Sequence, residues 1–372
     1  MASAQPAAPV RSGYQHVQET IRRRIRSGEW RPGCKIPSER ELEKEFSLNR
    51  LTISKGLANL AAEGLLVRRR GQGTFVTERD SGRAAQRRLV KYISPMPFSE
   101  DVVMRPGVLE GMHEVLAERG YHVGVDFFHD ADEMVKRLQG DSDEYHAGFA
   151  IWYDPSEAVD AELARLSDEG YPFVLLDAVP TGFEGDCVVT DNVEGSLIVV
   201  RHLVEAGHRQ IAYVTRRVNR TSLEERLTGF LRGMVTCDCP IHTNSVFKLK
   251  GVREEARGEI DGVIDRLIDD PTPPTAVLFS NEDLAVAAIE RLWSRGLRVP
   301  DDVSVVSNDN LDVAKSPRVA MTTVVQNWFE MGKVAAEILL DRLTNPHSRP
   351  TQVQLHPRFI ERASVATRKG DF

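Results

Sequence analysis

Four times in this chain a helical apolar pattern runs into a glycine, and a short β-rich run follows within a few residues. Leu116-Ala117-Glu118-Arg119-Gly120 leads into Tyr121-His122-Val123-Gly124-Val125, and Leu166-Ser167-Asp168-Glu169-Gly170 into Phe173-Val174-Leu175-Leu176. Leu203-Val204-Glu205-Ala206-Gly207 leads into Ile211-Ala212-Tyr213-Val214, and Leu292-Trp293-Ser294-Arg295-Gly296 into Val303-Ser304-Val305-Val306. Further apolar runs without alternation lie at 148–152, 275–279 and 321–325. Runs of this kind suit strands covered on both faces, and their alternation with helices predicts parallel sheets. The pattern starts at Leu89 and spans about 280 residues, more than one small doubly wound unit holds, so two α/β lobes are expected. In open parallel sheets ligands sit beyond the carboxyl ends of strands, and clefts between lobes bind small molecules. Polar residues directly after these runs are therefore binding candidates.

The first eighty residues follow a different plan. Tyr14, Val17, Ile21 and Ile25 recur at helical spacing. Pro37-Ser38-Glu39-Arg40-Glu41 then offers a second helix start, with Ser38 as cap and Glu41 closing a capping box. Ser47-Leu48 makes a turn, and Asn49 caps a third helix that buries Ile53, Leu57 and Leu60 while turning Asn49, Arg50 and Thr52 outward. Two short β-rich runs around Gly71-Gln72-Gly73 read as a hairpin carrying Arg68, Arg69 and Arg70. Three short helices and a basic hairpin make an α+β winged helix-turn-helix.

Its chemistry fits double-stranded DNA. A helix N-terminus offers free amides to phosphate, Arg50 can bond bidentately to guanine, and Asn49 can pair with adenine or a phosphate. Residues 1–80 hold 15 Lys and Arg against 9 Asp and Glu, a net of +6, whereas the rest of the chain is at −13. A basic head on an acidic body is the asymmetry expected when one end meets a polyanion. Taken singly, Arg40 could equally pair with Glu39 or Glu43 on its own helix.

Residues 1–12 read as a disordered tail without the pattern of a secretory signal, and 78–88 as a polar linker between the DNA-binding domain at 13–77 and the two-lobed body at 89–364. No apolar run is long enough to span a membrane. Four scattered cysteines predict neither a disulfide framework nor a metal site, and place the chain in a reducing cytoplasm. No cofactor motif is present.

The head resembles the DNA-binding domain of the GntR family. The resemblance is carried by Gly28-x-Trp30-x-Pro32-Gly33-x-Lys35-Ile36-Pro37-Ser38-Glu39-Arg40-Glu41-Leu42, by Arg50-x-Thr52-Ile53-x-x-Gly56-Leu57-x-x-Leu60, and by Gly71-Gln72-Gly73-Thr74-Phe75-Val76. It implies DNA contacts from Arg40, Arg50, Thr52, Gln72 and Gly73, to which the residue chemistry adds Asn49 and Arg69. Asn49 stands where the family usually has Ser or Thr, and Leu51 where a small residue is commoner.

The body resembles the sensor domain of the LacI/GalR regulators, itself similar to periplasmic sugar-binding proteins. The matching residues are Asp191-Asn192-x-x-Gly195, His202-Leu203-x-x-x-Gly207-His208-Arg209, Ser222-x-x-x-Arg226-x-x-Gly229-Phe230, Ser280-Asn281, Val299-Pro300-Asp301-Asp302-Val303, Asp309-Asn310 and Thr322-Thr323-Val324-x-Gln326. A GntR-type head on such a body looks like the arabinose-repressor subclass of hybrid regulators. The resemblance implies that Arg226, Asn281 and Asp309 hydrogen-bond a sugar-like effector, with Trp328 stacking on it; Trp152 would line the cleft from the other lobe. Other roles stay open: Arg226 in an ion pair with Glu225, the tryptophans as core, and Asp309 as the cap of a helix near Leu311.

The expected function is thus a repressor that binds operator DNA as a homodimer under the control of a sugar-like effector. Two other classes compete. A GntR-type head can precede an enzyme-derived body, but the aminotransferase kind needs a Schiff-base lysine in a recognisable cofactor site. An all-helical GntR body conflicts with the many β-rich runs.

Overall fold

In the computed structural model the described residues are 13–26, 29–31, 33–62, 65–69, 73–76, 88–95, 106–140, 146–216, 220–242, 245–250, 254–310 and 319–368. They divide into two compact units. One holds the chain up to Arg88 together with Ala164–Tyr171, and the other holds Leu89–Leu163 and Pro172–Phe372.

The head contains α1 (Gly13–Arg26), α2 (Glu39–Phe46) and α3 (Arg50–Ala62), then the antiparallel pair β1 (Leu66–Arg69) and β2 (Gly73–Val76). Ser38 and Glu41 form the expected capping box at the start of α2. Ser47, in the left-handed region at φ 54°, turns the chain into α3. Val17, Ile21, Leu42, Ile53, Leu57, Leu60, Leu66 and Val76 make one closed core. Lys35 bridges to Phe75, and Ile36 donates its N–H to the Thr74 carbonyl, which ties the wing to the segment before α2. Gly73, at φ 115°, lies so close to Lys35 that a Cβ there would meet its Cε at 2.6 Å. The wing tip at 70–72, with Gln72, lies outside the described residues, as do the expected tail and all but Arg88 of the linker.

The body is built on two six-stranded sheets. The first receives β3 (Leu89–Pro95), β4 (His122–Phe128), β5 (His146–Trp152), β6 (Phe173–Leu176) and β7 (Cys187–Thr190), all joined in parallel. Between them run α4 (Pro106–Glu118), α5 (Ala131–Gly140) and α6 (Glu157–Asp168). The chain then enters the second lobe with α7 (Asn192–Glu205), β8 (Ile211–Arg216), α8 (Thr221–Thr236), β9 (Val246–Leu249), α9 (Glu254–Ile268), β10 (Ala276–Phe279), α10 (Glu282–Ser294), β11 (Ser304–Asn308) and β12 (Thr322–Val325). It returns through α11 (Trp328–Thr344) and β13 (Gln352–Leu355), which extends the first sheet beside β7, and crosses again to β14 (Arg358–Ile360), antiparallel to β12.

The expected runs are strands: 148–152 falls in β5, 275–279 around β10 and 321–325 around β12. The short strands β9, β13 and β14 carry no comparable apolar run, and their sheet membership comes from pairing partners far along the chain.

Each sheet of the body is covered by helices. In the second lobe, α9 and α10 supply Ile260, Val263, Ile264, Leu284 and Leu292 to one core layer, and α7 and α8 supply Val199, Leu203, Phe230 and Met234 to the other. In the first lobe α4 packs on α11 with unusually little space. A Cβ at Gly111 would stand 2.0 Å from the Phe329 carbonyl oxygen, and one at Gly332 2.0 Å from that of Val108. Only glycine permits backbones to approach so closely.

Three segments connect the lobes: 190–192, 325–328 and 355–358. Thr190 Oγ1 donates to Gln326 Oε1 at 3.0 Å, and the Asp191 N–H to the Leu355 carbonyl at 2.9 Å, so the three are stitched side by side. Polar residues that leave these strands therefore meet at one hinge.

Candidate functional site

Arg226 lies in the second turn of α8, the helix that follows β8, and its guanidinium points back under the end of the sheet. Its side chain is only 4 % exposed. Nε donates to Asn192 Oδ1 at 2.9 Å, Nη1 to the Ser280 carbonyl, and Nη2 to Asp309 Oδ1 at 2.9 Å. Asp309 follows β11 in the left-handed region at φ 97°, and this turn carries its carboxylate into the hinge. That carboxylate also accepts from Asn281 Nδ2 at 2.9 Å and from Gln326 Nε2 at 3.0 Å. Arg226 from the helix α8, Asn281 from the turn after β10 and Asp309 from the turn after β11 thus form one network.

Burial works against charge here, and the partners outweigh it. For Asp309 burial raises the pKa, but the Arg226 charge and the bonds from Arg226, Asn281 and Gln326 hold the carboxyl below its ordinary range. For Arg226 burial is likewise opposed by Asp309 and Asp177, and its pKa lies above the usual value. A buried ion pair survives only when its remaining donors and acceptors are satisfied, and this one has them. Glu225, next to Arg226, behaves differently: burial raises its pKa, with Asp191 and Asp177 adding to the effect against a bond from Asn192. The ion pair of Arg226 is with Asp309. The alternative role of Asp309, as cap of a helix near Leu311, falls on 311–318, outside the described residues.

Several partners carry no role in the sequence reading. Asn192, Gln326 and Ser222, whose hydroxyl donates to Asp177 Oδ2 at 3.5 Å, appear there only as motif residues, and Asp154, Asp177 and Arg220 not at all. Asp154 stands two residues after β5 and Asp177 directly after β6, where the strand-end rule points. Arg220 reaches across from the second lobe, with Nη2 on Asp154 Oδ1 and Nη1 3.9 Å from Asp177 Oδ2. Thr221 Oγ1 meets both the N–H and the carbonyl of Val179 at 3.1 Å, so the lobes touch beside the hinge.

The two tryptophans are placed by the first-lobe core. Trp152, at the end of β5, is 1 % exposed among Tyr92, Val108, Met112 and Met331. Trp328 begins α11, half-buried against the same cluster.

In the head, Asn49 Oδ1 accepts from the Thr52 N–H and from Thr52 Oγ1, both at 2.9 Å. Its acceptor capacity is spent on the helix start, which removes the bidentate adenine pairing and leaves its Nδ2 as a donor. Glu39 on α2 holds two arginines at once, Arg50 Nε at 3.4 Å and Arg68 Nη2 at 2.9 Å. Arg40 is exposed on α2, and the Arg69 guanidinium sits 4.9 Å from the Phe75 ring centroid.

Residues 13–76 match the family described as bacterial regulatory proteins, gntR family, and residues 200–365 match the periplasmic binding protein-like domain. The chain is a GntR-type head joined to a periplasmic-binding-protein-like body. Among its relatives, the arabinose metabolism transcriptional repressor of Geobacillus stearothermophilus is 28 % identical over 338 residues, 89 % of this chain and 91 % of that one. The protein of the same name from Halalkalibacterium halodurans is 25 % identical over 372 residues, 96 % of this chain and 98 % of its own. Of solved structures, the transcriptional regulator CelR in complex with cellobiose superposes with a TM-score of 0.66 at 22 % identity, covering 88 % of this chain and all of that one. A LacI family regulator from Enterococcus faecium with bound ribose gives 0.62 at 23 % identity, over 75 % of this chain and all of its own. These likenesses establish the two-lobed fold of the body.

Proposed function

We propose that this chain is a transcriptional repressor whose grip on operator DNA is set by a sugar or sugar-like effector held between the lobes of its body. The observation that carries the reading is the buried Arg226–Asp309 pair at the hinge. A guanidinium, a carboxylate and the amides of Asn192, Asn281 and Gln326 meet there, beyond the strand ends. Sugar hydroxyls donate and accept at once, which suits this mixture of donors and acceptors. The names of the two arabinose repressors, and the ribose and cellobiose bound to regulators of the same fold, support the same class.

On the DNA side Arg50 takes a guanine edge, Arg40, Arg69 and the Asn49 Nδ2 hold phosphates with the Gln72-Gly73 wing tip, and Thr52 Oγ1, its proton given to Asn49, accepts from a base amino group. A homodimer sets two such heads one helical turn apart on a palindromic site. Among the described residues no helix is long and apolar enough to cross a membrane, and a repressor works beside the chromosome, in the cytoplasm. The effector acts by binding one arrangement of the lobes better than another, since only differential affinity shifts such an equilibrium. No residue is assigned a catalytic role.

The test uses the full chain and a duplex it selects from a randomised pool. Binding is followed by fluorescence anisotropy between 50 and about 200 mM salt, a range over which phosphate contacts cost a protein roughly 10³–10⁵ in affinity. Arabinose, ribose and cellobiose are added in turn, with thermal shift read in parallel. One sugar should move both melting temperature and operator affinity. A flat salt profile, or a panel of sugars that moves neither quantity, overturns the proposal.

A further inference from the structure

The first turn of α3 carries a leucine, Leu51, between the polar residues Arg50 and Thr52. Leu51 is 83 % exposed, the most exposed large apolar side chain among the described residues. A single exposed leucine on a protein surface needs no explanation; its position here does. Asn49 and Thr52 flank it and are bonded to each other, the amide oxygen accepting both the N–H and the hydroxyl. Neither offers its full hydrogen-bonding edge to a base. Arg50, 79 % exposed, and Leu51 are therefore the two side chains of this turn that project outward without being spent on the cap. The buried face of the helix is already complete with Ile53, Leu57 and Leu60, so Leu51 has no place in the head's own core.

Given the DNA-binding reading above, on which this inference rests, we infer that Leu51 reads the C5 methyl group of a thymine in the operator. The major groove presents four donor and acceptor patterns and one apolar mark, the thymine methyl, and an aliphatic side chain can engage only the last. The helix turn that carries Arg50 to a guanine edge carries its neighbour to an adjacent base pair. A methyl packed on Leu51 leaves water on binding, and a cytosine or guanine in its place presents the leucine with polar atoms it cannot satisfy. Arg50 and Leu51 together then specify a guanine and a thymine close together in each site. The leucine is a specificity residue of the head and takes no part in phosphate binding.

The experiment needs only the methyl group to change. In the duplex selected by the full chain, each thymine is replaced in turn by deoxyuridine, which keeps every hydrogen bond and loses the methyl. At one thymine per site the affinity should fall by about three- to fivefold, the effect of one buried carbon. Leu51→Ala, an exposed change to a better helix former, should lose a similar factor and make that same position indifferent to deoxyuridine. The salt dependence of binding should stay as in the wild type. A uridine scan that is flat at every thymine overturns the inference while leaving operator binding intact. So do losses from uridine and from Leu51→Ala that simply multiply. If no duplex is enriched at all, the DNA-binding reading fails first and takes this one with it.

Discussion

Two arginines show how differently the head and the body use one side chain. Arg50 is 79 % exposed and only loosely tied to Glu39 at 3.4 Å, whereas Arg226 is 4 % exposed and donates from all three guanidinium nitrogens to three partners. A charge kept in water contributes little to folding and is available to a partner that arrives from water. A charge that is buried and paired holds its surroundings together, and removing it strands the partner. Under the proposed function, Arg50 keeps recognition apart from stability, and Arg226 joins the two. The same contrast holds for carboxylates: Glu39 bridges two exposed arginines at a partly exposed position, while Asp309 collects Arg226, Asn281 and Gln326 out of solvent.

The contrast can be broken most directly at Arg226. Arg226→Ala should cost about 3–5 kcal/mol of stability in urea denaturation, since Asp309 is left buried without its counter-charge; a variant as stable as the wild type would dissolve the distinction. Gly332→Ala, which drives a methyl toward the Val108 carbonyl, should cost about 1–3 kcal/mol by overpacking α4 against α11. The head should be nearly untouched in its own melting. Arg50→Ala should do the opposite. Operator affinity drops by about 1–3 kcal/mol with relaxed preference at one base pair, and unfolding shifts by no more than about 0.5 kcal/mol.

Smaller effects sharpen the comparison further. Asn49→Ala removes the cap on α3 and should lower head stability by about 1 kcal/mol, readable by hydrogen exchange of the first turn of that helix. His208 tests the body by pH. It is buried with Thr275, Ser304 and the Ala366 carbonyl, and burial holds its pKa below the ordinary value. For a base with a depressed folded pKa, the unfolded chain takes up the proton first. Its contribution is then complete above about pH 6.5 and is lost as pH falls below that value. Denaturation midpoints of the wild type should decline over that window, and His208→Gln should flatten the decline.

Much of this was legible from spacing alone. The Ser38 and Glu41 box, the Asn49 cap and the apolar faces of α1 and α3 are decided by residues within a turn of one another, and the structure has them in place. Glycines 120, 170, 207 and 296 end helices with positive φ, as their position after apolar helical runs required. Of the candidate site, Arg226, Asn281 and Asp309 were named through resemblance, and the structure joins them by hydrogen bonds. Trp152 shows the limit: a strand-end aromatic faces a cleft or a core according to which helix covers it. Here α11, supplied from 176 positions further on, brings Met331 into the core layer that holds it.

From the amino-acid order alone came the list of parts: a basic three-helix head with a wing, and a body of alternating helices and buried parallel strands. Those features depend on period, caps and turn residues, whose energies are settled between near neighbours in the chain. Only the folded molecule decided which sheet each short strand joined, that the chain crosses the hinge three times, and that Arg226 and Asp309, 83 residues apart, neutralise each other there. Such pairings are worth their desolvation cost only once every partner has arrived, so no local stretch of sequence can announce them.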